Sequence, residues 1–95
     1  MNNCNLSLKI LPVVEEEKLY PAVDEVIKMV AESGIKYIVG PSETSLEGDI
    51  DELLPLVKKA QEVCVKNGAR RVFTIITIDY CPDGVSMDEK MAPYR

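Results

Sequence analysis

Shifted by 34 residues, the chain matches itself at a run of positions: Leu19 falls on Leu53, Pro21 on Pro55, Val23 on Val57, Gly34 on Gly68 and Ile38 on Val72. A period of that length also suits two-helix solenoid repeats, so the content of each unit has to decide the architecture. Each unit begins with an alternating segment, continues with a helical stripe that stops at glycine, and ends in a β-rich run. Two βαβ halves fit this content; helical hairpins do not.

Leu6, Leu8 and Ile10 alternate with Asn5, Ser7 and Lys9, the period of a half-buried strand. Leu19, Val23, Val26, Ile27 and Val30 recur at helical spacing, and Ser33-Gly34 supplies the stop. Ile35 to Val39 reads as a second strand, Gly40-Pro41-Ser42 as a turn and Glu43 to Glu47 as a third strand. Asp49 and Glu52 form a D-x-x-E capping box, although Pro55 then sits deep in the helix and argues for a start nearer Asp51. Leu53, Val57, Ala60 and Cys64 make the second stripe, stopped at Asn67-Gly68, and Val72 to Asp79 is the strongest strand pattern. The order βαββαβ predicts an α+β ferredoxin-like sandwich: a four-stranded antiparallel sheet in the order 4-1-3-2, with two helices on one face. That domain spans residues 1–80. Residues 81–95 form an extension whose Ser86-Met87-Asp88-Glu89 capping box starts a short helix ended by Pro93, packed on the same or a neighbouring subunit.

Alternation assigns Leu6, Leu8, Ile10, Ile38, Thr44, Leu46, Val72, Thr74, Ile76 and Ile78 to the helix side. The open face then receives Asn5, Ser7, Lys9, Leu11, Tyr37, Val39, Glu43, Ser45, Glu47, Phe73, Ile75, Thr77 and Asp79. This face is too apolar to stand free in water and too polar for a dry core. An oligomer that encloses a partly polar pocket satisfies both conditions. Self-association through open sheet faces or strand edges, as a homodimer or homotetramer, is the economical structural answer.

The 95 residues suffice for one domain without disulfide or metal. A net charge of −5, with the eleven Lys and Arg scattered, argues against nucleic acid as a partner and favours cationic small molecules. The absence of histidine removes the commonest general base, the Ser-His and Cys-His nucleophile pairs and the usual transition-metal ligand. Cys4, Cys64 and Cys81 show no metal or redox spacing, so no metal site and no catalytic residue is assigned; reduced thiols in a cytoplasm are the default. The N-terminal residues carry no export or membrane signal.

The segment Gly40-Pro41-Ser42-Glu43-Thr44-Ser45-Leu46-Glu47-Gly48-Asp49 is too dense in carboxylates and hydroxyls for a strand that only fills a core. It marks a surface that recognises something small or pairs with another subunit. Together with Leu8-Lys9-Ile10-Leu11-Pro12, Gly68-Ala69-Arg70-Arg71-Val72, Asp88-Glu89-Lys90 and Tyr94, it resembles the small thiamine-binding proteins of the ferredoxin-like fold. The resemblance spans nearly the whole chain, with Glu-Thr-x-Leu-Glu-Gly-Asp as its most specific part. It implies a non-catalytic cytoplasmic protein, dimeric or tetrameric, that needs no cofactor and binds thiamine or its hydroxymethylpyrimidine part.

A thiamine site needs a carboxylate near the thiazolium cation, hydroxyl or amide partners for the pyrimidine, and an apolar or aromatic wall. Glu43, Thr44, Glu47, Tyr37 and Ser7 are the candidate ligand-binding residues. Four of them have a plainer reading. Glu43 neighbours Lys9 in an ion pair, because strands 1 and 3 run parallel at the 34-residue offset; Glu47 supports a helix N-terminus; Thr44 is a satisfied core hydroxyl; Tyr37 belongs to an interface. Asp79 and Tyr80 read most simply as a subunit contact. Two rival functions remain. One is an enzyme using the carboxylates Glu43 and Glu47 on one strand face. The other is a purely structural or regulatory oligomeric domain.

Overall fold

A computed structural model describes residues 2–95. Its elements are β1 (Cys4–Pro12), α1 (Glu16–Glu32), β2 (Lys36–Val39), β3 (Thr44–Gly48), α2 (Ile50–Lys66), β4 (Val72–Tyr80) and α3 (Met87–Met91), followed by a 3-10 turn at Ala92–Tyr94. The sheet order β2-β3-β1-β4 is the expected 4-1-3-2 read from the other edge, and all three pairings are antiparallel. The fold is ferredoxin-like.

The repeat is visible in three dimensions. Pro21 and Pro55 are each the sixth residue of their helix, and the carbonyls they leave without an intrahelical donor belong to the exposed Glu17 and Asp51. Both residues are open to solvent, which can take the lost hydrogen bond and makes a proline tolerable at this depth. Asp49 caps α2, its Oδ1 accepting from the Asp51 amide at 2.8 Å, so the helix starts before Asp51 despite Pro55. Gly34 and Gly68 follow the two long helices at φ +79° and +99°, left-handed values that an L side chain adopts only under strain.

The core lies between sheet and helices. Cys4, Leu6, Leu8 and Leu46 meet Val26, Met29 and Val30 of α1 and Leu53, Leu56, Val57, Ala60 and Cys64 of α2. The α2 stripe is the one the spacing predicts. The α1 stripe is rotated: Ala22, Val26, Met29 and Val30 are buried, while Leu19, Val23 and Ile27 are half-buried along a groove bordered by Val39 and Thr44. Thr74 faces the helices, its hydroxyl accepting from Gln61 of α2 at 2.8 Å. Burial pushes the Cys4 and Cys64 thiols up, away from the reactive thiolate.

Two expectations are corrected by register. First, β1 and β3 are antiparallel, with Asn5 opposite Glu47 and Ser7 opposite Ser45, and among the described residues no Lys9–Glu43 ion pair forms. Second, β2 is turned over. Tyr37 pairs with Leu46 and Val39 with Thr44, so both lie on the helix side, whereas Lys36 and Ile38 join Glu47 and Ser45 on the open face. A four-residue edge strand of mixed character carries no alternation strong enough to set its own parity; the buried Leu46 next door sets it.

β1 and β4 pair over nine rungs, but β3 accompanies β1 for only five. The open face therefore has two unlike ends. At one, β1, β3 and β4 lie side by side and the C-terminal segment crosses them. At the other, β1 and β4 run on as a two-stranded ribbon whose open side carries Leu11, Phe73 and Ile75.

Candidate functional site

The C-terminal segment folds back onto its own sheet and makes one wall of a cavity. Met87 is buried at the start of α3, and its amide donates to Glu47 Oε1 at 2.7 Å. Lys36 of β2 pairs with Asp88, Arg95 holds the other Asp88 oxygen at 3.1 Å, and Lys90 reaches Asp79 of β4 at 2.5 Å. Asp79, expected at a subunit contact, is thus engaged within the chain. The bond from Lys36, reinforced by Arg95, holds the Asp88 carboxyl below the usual carboxylate range and raises Lys36 in turn.

Beneath this strap lies a cavity of about 380 Å³, within the range of small-molecule sites. Asn5 and the hydroxyl residues Ser7, Ser45 and Thr77 line its floor; Glu43 and Asp79 bring carboxylates; Ile38, Met87 and Met91 give an apolar wall; Lys90 completes the rim. Glu43 reaches the cavity because of the turn before it. The Gly40 amide donates to the Glu43 carbonyl at 2.8 Å, and a Cβ on Gly40 would come within 3.2 Å of Glu43 Oε1. Glycine there leaves room for the carboxylate over the turn. Glu43 makes no ion pair among the described residues, whereas Asp79 is already neutralised by Lys90.

Of the five residues singled out in the sequence, Glu43 and Ser7 line this cavity. Glu47 is 8% exposed on the same face, with its carboxylate taken up internally: Oε1 accepts from Met87 and from the Asn5 amide at 3.2 Å, and Oε2 lies 3.9 Å from Lys36 Nζ. Thr44 borders the α1 groove instead, and Tyr37 lies across the sheet from the cavity. The anticipated aromatic wall is supplied by methionines, whose polarizable sulfur packs well against rings. Asn5, Thr77 and Asp79 had been placed on the open face by alternation, but the tail that completes the site is joined to it only by folding. Of the two carboxylates weighed as acid and base, Glu43 lines the cavity while that of Glu47 is engaged by Met87, Asn5 and Lys36.

Fold and cavity together give a ferredoxin-like domain with a partly polar cavity of small-molecule size. The family model of the thiamine-binding protein matches residues 6–95. A UPF0045 protein of Clostridium perfringens is 54% identical over 95 residues, the full length of both chains. A solved Bacillus cereus domain of unknown function superposes with a TM-score of 0.93 at 43% identity, covering 99% of this chain and 91% of that one. A Thermotoga maritima structure, provisionally named for thiamine biosynthesis or salvage, superposes with a TM-score of 0.90 at 33% identity, covering 98% and 99%. The chain belongs to the thiamine-binding protein family.

Proposed function

We propose that the protein binds thiamine, or its hydroxymethylpyrimidine part, without transforming it, in the cavity under the C-terminal strap. The observation that carries this reading is the convergence of three hydroxyl-bearing residues, a carboxylate with no ion-pair partner and a methionine-lined wall in one 380 Å³ space. Glu43 faces the thiazolium cation; Ser7, Ser45 and Thr77 exchange hydrogen bonds with the pyrimidine edge; Met87, Met91 and Ile38 cover the ring. A cationic ligand gives Glu43 the counter-charge it otherwise takes from water. A cytoplasmic setting, where free thiols persist, suits the three unpaired cysteines. Among the described residues no helix is long and apolar enough to cross a membrane.

A second role rests on a separate observation. Leu11, Phe73 and Ile75 stay 42%, 48% and 54% exposed on the ribbon end of the open face, and a homodimer or homotetramer through that end covers them. Isothermal titration with thiamine, its phosphates and hydroxymethylpyrimidine tests the ligand: saturable binding to at least one is expected, and no heat and no thermal shift with any rejects the reading. Mass spectrometry of the recovered ligand is expected to find it unchanged; a product would reinstate an enzyme.

A further inference from the structure

We infer that Asn5 is the specificity-determining acceptor of the cavity, reading an N–H donor on the ligand, and that Glu47 is the positioning residue that fixes its orientation. The inference rests on the ligand reading above and names which chemical edge the site selects. Asn5 lines the cavity and is 8% exposed. Its Nδ2 donates to Glu47 Oε1, and its Oδ1 is buried with no hydrogen-bond partner. An ionised carboxylate only accepts, so the Asn5 amide must turn its NH2 toward Glu47; the flipped amide would set two acceptors against each other. Glu47 cannot swing away to relieve this, because the Met87 amide holds the same oxygen and Lys36 stands beside the other.

The chain of contacts from α3 through Glu47 to Asn5 therefore leaves one buried carbonyl oxygen, on a residue that lines the cavity, with its lone pairs unused. Buried acceptors are rarely left so in native proteins. A ligand amino group satisfies it, whereas an oxo group in the same place meets it lone pair to lone pair. The cavity thus selects a 4-aminopyrimidine over its 4-oxo counterpart, the kind of discrimination that buried polar groups enforce more strongly than apolar pockets do.

The experiment is titration of two ligand pairs, hydroxymethylpyrimidine and thiamine each against the 4-oxo analogue, into wild type, Asn5→Ala and Glu47→Gln, with urea unfolding to verify that each variant is folded. Wild type is expected to prefer the amino form by about 10–100-fold. Asn5→Ala is expected to lose that preference. Glu47→Gln offers the Asn5 amide a donor as well as an acceptor and so frees it to turn, and the expected result is a narrowed ratio with improved binding of the oxo form. A purely structural role for Glu47 would weaken both forms alike and leave the ratio intact, which overturns its positioning role. Equal wild-type binding of amino and oxo forms, or a preference that survives Asn5→Ala, overturns the assignment to Asn5 while the ligand reading stands. Binding of neither form overturns both. Should Asn5→Ala not fold, the ratio in Glu47→Gln decides.

Discussion

The two ends of the open sheet face are built from the same two strands and meet water in opposite ways. At the strap end, Asn5 and Glu47 are buried polar groups enclosed by the chain's own tail. At the ribbon end, Leu11, Phe73 and Ile75 are apolar and largely exposed, with the Arg71 guanidinium 4.7 Å from the Phe73 ring centroid. The difference follows from where β3 stops. Three strands beneath α3 make a floor wide enough for a cavity; two strands beyond it make only a twisted apolar ribbon. Polar groups under cover are suited to a small ligand, and apolar groups without cover to a second copy of the chain.

Breaking the strap end has the largest expected effect. Glu47→Ala leaves the Met87 amide and the Asn5 NH2 without their acceptor, and urea unfolding is expected to register a loss of about 3 kcal/mol. Phe73→Ala, at the exposed end, is expected to cost under about 1 kcal/mol in the monomer. Equal losses would erase the contrast between the ends. Next in size is Ile75→Asp. If the ribbon end joins copies, sedimentation velocity is expected to show at least a tenfold weaker assembly with thiamine affinity in the monomer retained. Lost ligand binding with intact assembly would exchange the two roles.

The smallest effect concerns the exposed ion pairs on the strap. Asp88 is lowered in the folded state, so its stabilisation is present above the ordinary carboxylate value and fades as pH falls through the lowered one. Lys36 is raised, so its share is present below the ordinary lysine value and fades as pH climbs through the raised one. Protection of the Met87–Met91 amides, taken relative to the intrinsic exchange rate at each pH, is thus expected to be greatest across the neutral range and to fall in acid, in strong base and in high salt, with little change at Leu11 or Ile75. Salt-independent exchange would assign the strap's attachment to Met87 and Glu47 alone.

Much of the architecture was legible because it rests on strong local patterns. Helix stops at Gly34 and Gly68, the α2 stripe, and the parity of β1 and β3 each follow from a few residues whose period admits one reading. The site was legible in part. Glu43 and Ser7 reach the cavity from positions that alternation and turn chemistry define. Tyr37 was misplaced because β2 is exposed along its whole length and its own residues carry no preference of face; pairing with β3 decides it. The α1 stripe is rotated, with Ala22 and Met29 buried while Leu19, Val23 and Ile27 stay half-buried. The engagement of Glu47 by an amide 40 residues away in sequence leaves no local trace. Asn5, assigned to the open face by alternation, carries no local sign of the bond to Glu47 that it makes across 42 positions of sequence.

The central claim is that the strap end, and not the ribbon end, receives the ligand. Two-dimensional amide NMR during titration with thiamine tests it most directly. The account expects saturable shifts at Asn5, Ser7, Ser45, Thr77 and Met87–Met91, with Leu11, Phe73 and Ile75 unmoved. Shifts confined to Leu11, Phe73 and Ile75 would contradict it.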